Sequence, residues 1–105
     1  MKVLFICNQN KHRSKTAEEL FKNQFKTKSA GIYNNKVTKE QLEWAEVIIV
    51  MEDIQRKELA KLFPGLYLQK HILCLNIPDI YSYNQFELII LLKNKVSNLL
   101  ALTTA

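Results

Sequence analysis

The stretch Val3-Leu4-Phe5-Ile6-Cys7-Asn8-Gln9-Asn10-Lys11-His12-Arg13-Ser14 decides how this chain is read. Its first five residues form a continuous apolar run, as expected of a strand covered on both faces. The polar segment after Cys7 then gives way to Ser14–Lys26, where Ala17, Leu20, Phe21 and Phe25 fall at helical spacing with charges between them. Buried strand, tight polar loop and amphipathic helix are the opening unit of a sheet with parallel strands.

The same alternation continues outward. Lys28–Ile32 reads as a short strand ending at a turn, and Thr38 with Gln41 forms a capping box that opens a short helix through Trp44. Val47–Met51 is a second fully buried strand, followed by an amphipathic helix from Glu52 to Phe63 that Pro64-Gly65 stops. Ile72–Leu75 is the last strand, Pro78 and Asp79 begin a loop, and Gln85 to about Leu100 is a final helix with a wide apolar face. Ala101–Ala105 carries no signal and is left as a candidate for disorder. Four strands and four helices predict one domain over residues 1–105: an α/β chain folded as a three-layer α/β/α sandwich on a four-stranded parallel sheet. Ligands of such sheets bind beyond the carboxyl ends of the strands, which singles out Cys7, Met51, Leu75 and the loops after them.

Composition narrows the function classes. With 105 residues and 48% hydrophobic content, the chain can build a core without disulfide staples or a structural metal. Cys7 and Cys74 have no metal-ligand or redox spacing, so a reduced, cytoplasmic protein is expected, and neither metal nor cofactor is called for. The longest apolar run, Phe86–Leu92, is broken by Glu87 and is far short of a membrane span, and the N-terminus lacks the pattern of a signal peptide. A net charge of +5 favours anionic ligands, but the lysines are scattered and no basic stripe interleaves with aromatics, so nucleic acid is not expected as a partner.

The loop after the first strand carries the chemistry. Five residues separate Cys7 from Arg13. A loop of that length can turn the backbone N–H groups of Asn8, Gln9, Asn10, Lys11 and His12 towards one point, making an anion nest backed by the positive end of the following helix. The same field favours a thiolate over a thiol at the base of the nest. Arg13, one of two arginines in the chain, supplies a planar fork for two phosphoryl oxygens. The Ser14 hydroxyl can donate to the sulfur and improve it as a leaving group. A cysteine closing an apolar strand is often only a small buried hydrophobe. Its position at the first strand-to-helix junction, with Arg13 in register, favours a nucleophile.

With these residues in place, the chain resembles the low-molecular-weight protein tyrosine phosphatases. Cys7-x5-Arg13-Ser14 is similar to their signature loop, Asn10 stands at the loop Asn that braces the cradle, and Thr16-Ala17-Glu18 continues the helix as in the family. Ser29-Ala30-Gly31, Ala45-Glu46-Val47 to Met51-Glu52, and Pro78-Asp79-Ile80-Tyr81 resemble further family segments, the last being the loop that carries the general acid. The resemblance extends over about residues 1–92 and is strongest to a shortened branch with Ile-Pro-Asp followed by a Glu-Leu-Ile helix, here Glu87-Leu88-Ile89. It implies a phosphocysteine intermediate, Cys7, Arg13 and Asp79 as catalytic residues, and a phosphorylated protein or small phosphomonoester as substrate, with inorganic phosphate as product. Asn8, Gln9, Asn10, Lys11, His12, Ser14 and Tyr81 are then the expected substrate-binding residues. Four departures stand out: Ile32–Val37 is a short bridge where longer members have an extended segment, His12 replaces a second loop Cys, Gln9 replaces a loop Gly, and Ile80 replaces the Pro after the general acid.

Competing readings remain for several positions. Asp79 also suits a turn after Pro78, His12 suits a solvent-facing loop, and Tyr81 and Tyr83 suit either a stacked substrate ring or plain exposure. Glu52 and Asp53 are better placed for capping the helix they open than for the site. Cys74 reads as inert core. A catalytically weak or inactive phospho-ligand binder would use the same loop. An arsenate reductase would need a relay of further thiols, of which Cys74 is the sole candidate.

Overall fold

Strands that are apolar at every position need cover on both faces, and the computed structural model, which describes residues 1–104, provides it. Strands β1 (Lys2–Cys7), β2 (Lys26–Gly31), β3 (Val47–Val50) and β4 (His71–Cys74) form one parallel sheet in the order β2-β1-β3-β4. The helices are α1 (Arg13–Phe21), α2 (Lys39–Trp44), α3 (Asp53–Leu62), α4 (Pro64–Gln69) and α5 (Phe86–Thr104). The predicted three-layer sandwich is what is found.

Side-chain alternation along β1 splits the core in two. Val3, Phe5 and Cys7 pack with Ala17 and Phe21 of α1 and with Leu88, Leu92 and Val96 of α5. Leu4 and Ile6 pack on the other face with Leu42 of α2 and Leu59 of α3. Leu88, Leu92 and Val96 recur every four residues, so one stripe of α5 is buried while Phe86 and Ile90 are exposed, and the buried face is narrower than the wide apolar face expected. Each fully buried aliphatic side chain of this kind contributes about 1.5–3 kcal/mol.

Two boundaries differ from expectation for local reasons. Pro64 ends α3 but also starts α4, because proline fits the first position of a helix, where its missing N–H is not needed. Among the described residues there are therefore five helices rather than four. Helix α5 runs on to Thr104, taking in most of the segment left as a candidate for disorder. The Thr38–Gln41 capping box forms as read: Gln41 N–H donates to Thr38 Oγ1 at 3.1 Å and Thr38 N–H to Gln41 Oε1 at 2.9 Å. Among the described residues, no helix is long and apolar enough to cross a membrane.

Candidate active site

Three strand ends converge at one edge of the sheet. Ile6 of β1 pairs with Val50 of β3, which pairs with Cys74 of β4. The loops that follow Cys7, Val50 and Cys74 therefore meet, and β1 lies inside the sheet. The Cys7 side chain, only 3% exposed, reaches the floor of a pocket of about 350 Å³ lined by Cys7, Gln9, Lys11, His12, Arg13, Asp79, Ile80, Tyr81 and Ser82.

The loop from Asn8 to His12 is held from behind. Asn10 has φ of 51°, a left-handed conformation that asparagine tolerates. Its Nδ2 donates to Ser14 Oγ at 2.8 Å, and its Oδ1 accepts from Asn35 Nδ2 at 3.3 Å. Cys7 Sγ lies 3.0 Å from Ser14 Oγ. Because Asn10 already donates to that hydroxyl oxygen, the Ser14 proton is free to point at sulfur. Asn8 accepts from Gln55 Nε2 at 2.7 Å, and Gln55 is completely buried. The bridge after β2 closes the underside: Tyr33 N–H donates to the Asn8 carbonyl at 2.9 Å and Asn34 Nδ2 to the Gln9 carbonyl at 3.1 Å. Gly31 lets these segments touch, since a Cβ there would lie 2.8 Å from the Asn8 carbonyl oxygen and closer still to that of Asn34. Among the described residues, no buried side-chain nitrogen or oxygen lacks a partner.

Arg13 is 1% exposed and is anchored through one nitrogen. Its Nη1 donates to Glu52 Oε1 at 2.6 Å and to the Ile77 carbonyl at 2.7 Å. Its Nε stands 3.8 Å from Asp79 Oδ1. A buried guanidinium needs such a counter-charge. Glu52 provides it while opening α3, where its N–H donates to Gln55 Oε1 at 2.5 Å, so the capping reading of Glu52 is half of its role.

The expected site residues fall into two groups. Cys7, Arg13, Asp79, Gln9, Lys11, His12 and Tyr81 share the pocket. The side chains of Asn8, Asn10 and Ser14 brace the loop instead of lining it, because their polar atoms are taken by Gln55, Asn35 and one another. Tyr81 also packs against the core beside α5. Asp79 is half-exposed. His12 is not a free loop side chain: its Nδ1 accepts from the Tyr83 N–H at 3.0 Å. Sequence reasoning did not nominate Gln55, Gly31 as a contact point, or Ile80, which is 73% exposed at the pocket rim. For Gly31, the signal was available in its place at the end of a strand beside the loop.

The two thiols lie on opposite faces of the sheet, Cys7 with the α1/α5 core and Cys74 against the other, and Cys74 is only half-buried rather than inert core. Two strand spacings put their backbones on the order of 10 Å apart, beyond disulfide reach.

Residues 2–103 match the family described as low molecular weight phosphotyrosine protein phosphatase. The chain belongs to this family. No curated protein matches it in sequence. Among solved structures, a low-molecular-weight phosphotyrosine phosphatase from Vibrio cholerae O395 superposes with a TM-score of 0.80 at 16% identity, covering 99% of this chain and 97% of that one. SP-PTP, the low-molecular-weight protein tyrosine phosphatase of Streptococcus pyogenes, gives 0.77 at 19% identity over 95% and 91%. The YwlE arginine phosphatase of Geobacillus stearothermophilus gives 0.72 at 19% identity over 97% and 94%. At these identities the likeness is one of fold.

Proposed function

We infer that the chain hydrolyses phosphomonoesters through a phosphocysteine intermediate, and that aryl phosphates of the phosphotyrosine type are its substrates. The observation that carries this reading is the shared pocket of Cys7 Sγ, the pinned Arg13 guanidinium and the Asp79 carboxyl group. Arg13 spends Nη1 on Glu52 and Ile77, which leaves the edge formed by Nε and Nη2 for two oxygens of a phosphoryl group. The Cys7 thiolate attacks phosphorus, the P–O bond to the alcohol breaks, and Asp79 gives its proton to the departing oxygen. The Asp79 carboxylate then takes a proton from water as that water attacks phosphorus. The P–S bond breaks, inorganic phosphate leaves, and Ser14 Oγ–H stabilises the returning thiolate.

The pocket wall bears on the substrate. Asp79 is the one carboxylate among its lining residues, and the first step needs it protonated. A phosphoarginine substrate, the kind named for YwlE, would present a cationic leaving group to Lys11. The apolar faces of Ile80 and Tyr81 suit an aromatic ring.

Hydrolysis of p-nitrophenyl phosphate that disappears in Cys7→Ser, together with a covalent mass increase of one phosphoryl group trapped on Cys7, tests the reaction. Competition between a phosphotyrosine peptide and a phosphoarginine peptide tests the substrate class. Phosphate binding without turnover by the wild type would instead make this a phospho-ligand binder.

A further inference from the structure

One substitution in the signature loop finds its partner across the pocket. His12 stands where the family resemblance places a second cysteine, and its Nδ1 accepts the Tyr83 N–H at 3.0 Å. An imidazole nitrogen accepts only while it carries no proton, so this contact is made by the tautomer with its hydrogen on Nε2. Next to this contact, Asn84 N–H donates to Thr16 Oγ1 at 2.9 Å, and Thr16 Oγ1–H donates to the His12 carbonyl at 2.7 Å. Thr16 is fully buried on α1 and fixed by that bond.

The segment bearing Asp79 is therefore anchored at both ends. Upstream, Ile77 N–H donates to the Met51 carbonyl at 2.8 Å, and the Ile77 carbonyl accepts from Arg13. Downstream, Tyr83 and Asn84 are bound to His12 and Thr16. Between the anchors, the chain is open to solvent: Asp79, Ile80 and Ser82 are exposed. Within this stretch Tyr81 packs against the core while its neighbours do not, so that contact and the two anchored ends decide where the Asp79 carboxyl group points.

Resting on the phosphatase reading above, we propose that His12 is a positioning residue for the general acid. By accepting the Tyr83 N–H, it ties the Asp79 loop to the phosphate loop. Its ring places this anchor within the pocket that the substrate enters. The second-cysteine position thus serves alignment of the proton donor.

A misplaced general acid has a kinetic signature that poor folding or weak binding does not have. Protonation matters most when the departing alcohol is a weak leaving group, and it matters little for a strong one. The test measures single-turnover cleavage of phenyl, p-nitrophenyl and 2,4-dinitrophenyl phosphate by wild type, His12→Ala and His12→Asn, with a melting curve for each. Asn can present Oδ1 close to the place of Nδ1, and it does not titrate. The expected result is that His12→Ala loses at least about tenfold more rate on phenyl phosphate than on 2,4-dinitrophenyl phosphate, a fraction of the 10²–10⁴-fold worth of an acid. His12→Asn restores most of that difference. Equal slowing on all three esters, or an Asn variant as leaving-group-sensitive as the Ala variant, overturns the role of His12 while leaving the phosphatase reading intact. Absence of any Cys7-dependent cleavage in the wild type overturns both.

Discussion

The phosphate loop and the acid loop face each other across one pocket but are built on opposite principles. Residues 7–14 sit on the end of a strand inside the sheet, with Cys7, Asn10, Arg13 and Ser14 buried and each polar side chain matched. Residues 78–84 are mostly exposed and hang from a few hydrogen bonds at either end. The difference fits the role proposed for each. An oxyanion cradle works by having its dipoles aimed before the charge arrives, so its rigidity is set in advance. A group that gives up a proton and later takes one from water needs access to solvent and to the substrate.

The contrast can be broken from either side. Cys7→Ser should lower p-nitrophenyl phosphate turnover by at least about 10⁴-fold while vanadate still binds, because the cradle outlasts its nucleophile. Asp79→Asn should cost about 10²–10⁴-fold in turnover on phenyl phosphate, with little change in melting temperature. Gly31→Ala should do the reverse of Asp79→Asn. It forces backbone against backbone beneath the cradle, and a loss of about 3 kcal/mol in urea unfolding is expected, together with weaker phosphate binding. Glu52→Gln keeps the shape but not the charge opposite Arg13, and should lower kcat/KM by about 10–100-fold, the worth of one charge-assisted hydrogen bond. Lys11→Ala should change kcat/KM only a few-fold, about the scale of an exposed charge, and that difference should fade in high salt.

What could be read from the sequence is what is local in the chain. The Cys7–Ser14 loop, the Thr38–Gln41 cap and the buried strand Val47–Val50 each declare themselves within a dozen residues, through spacing, capping chemistry or unbroken apolarity. The contacts that brace the cradle link distant segments: Gln55 reaches Asn8 across 47 positions, and Asn35 reaches Asn10 across 25. No periodicity encodes such pairs. Glu52 shows the limit well, since its capping role is legible in Glu52-Asp53-Ile54-Gln55, whereas its hold on Arg13 depends on β1 and β3 lying side by side. Pro64 was ambiguous for another reason, as the same residue that ends one helix is favoured at the start of the next. Helix α5 was harder at its polar end, where Gln85 and Phe86 give no sign that the buried stripe begins only at Leu88.

The partners of the Arg13 side chain lie 39 and 64 positions further along the chain. Both bonds have high contact order, so they form only once all the strands have been assembled. A truncated or half-folded chain can carry the signature motif intact and still have a guanidinium with nowhere to anchor. Reactivity of the sulfur towards phosphoryl groups should therefore appear and vanish with the cooperative folding of the whole sheet, which makes catalysis itself a reporter of the native state.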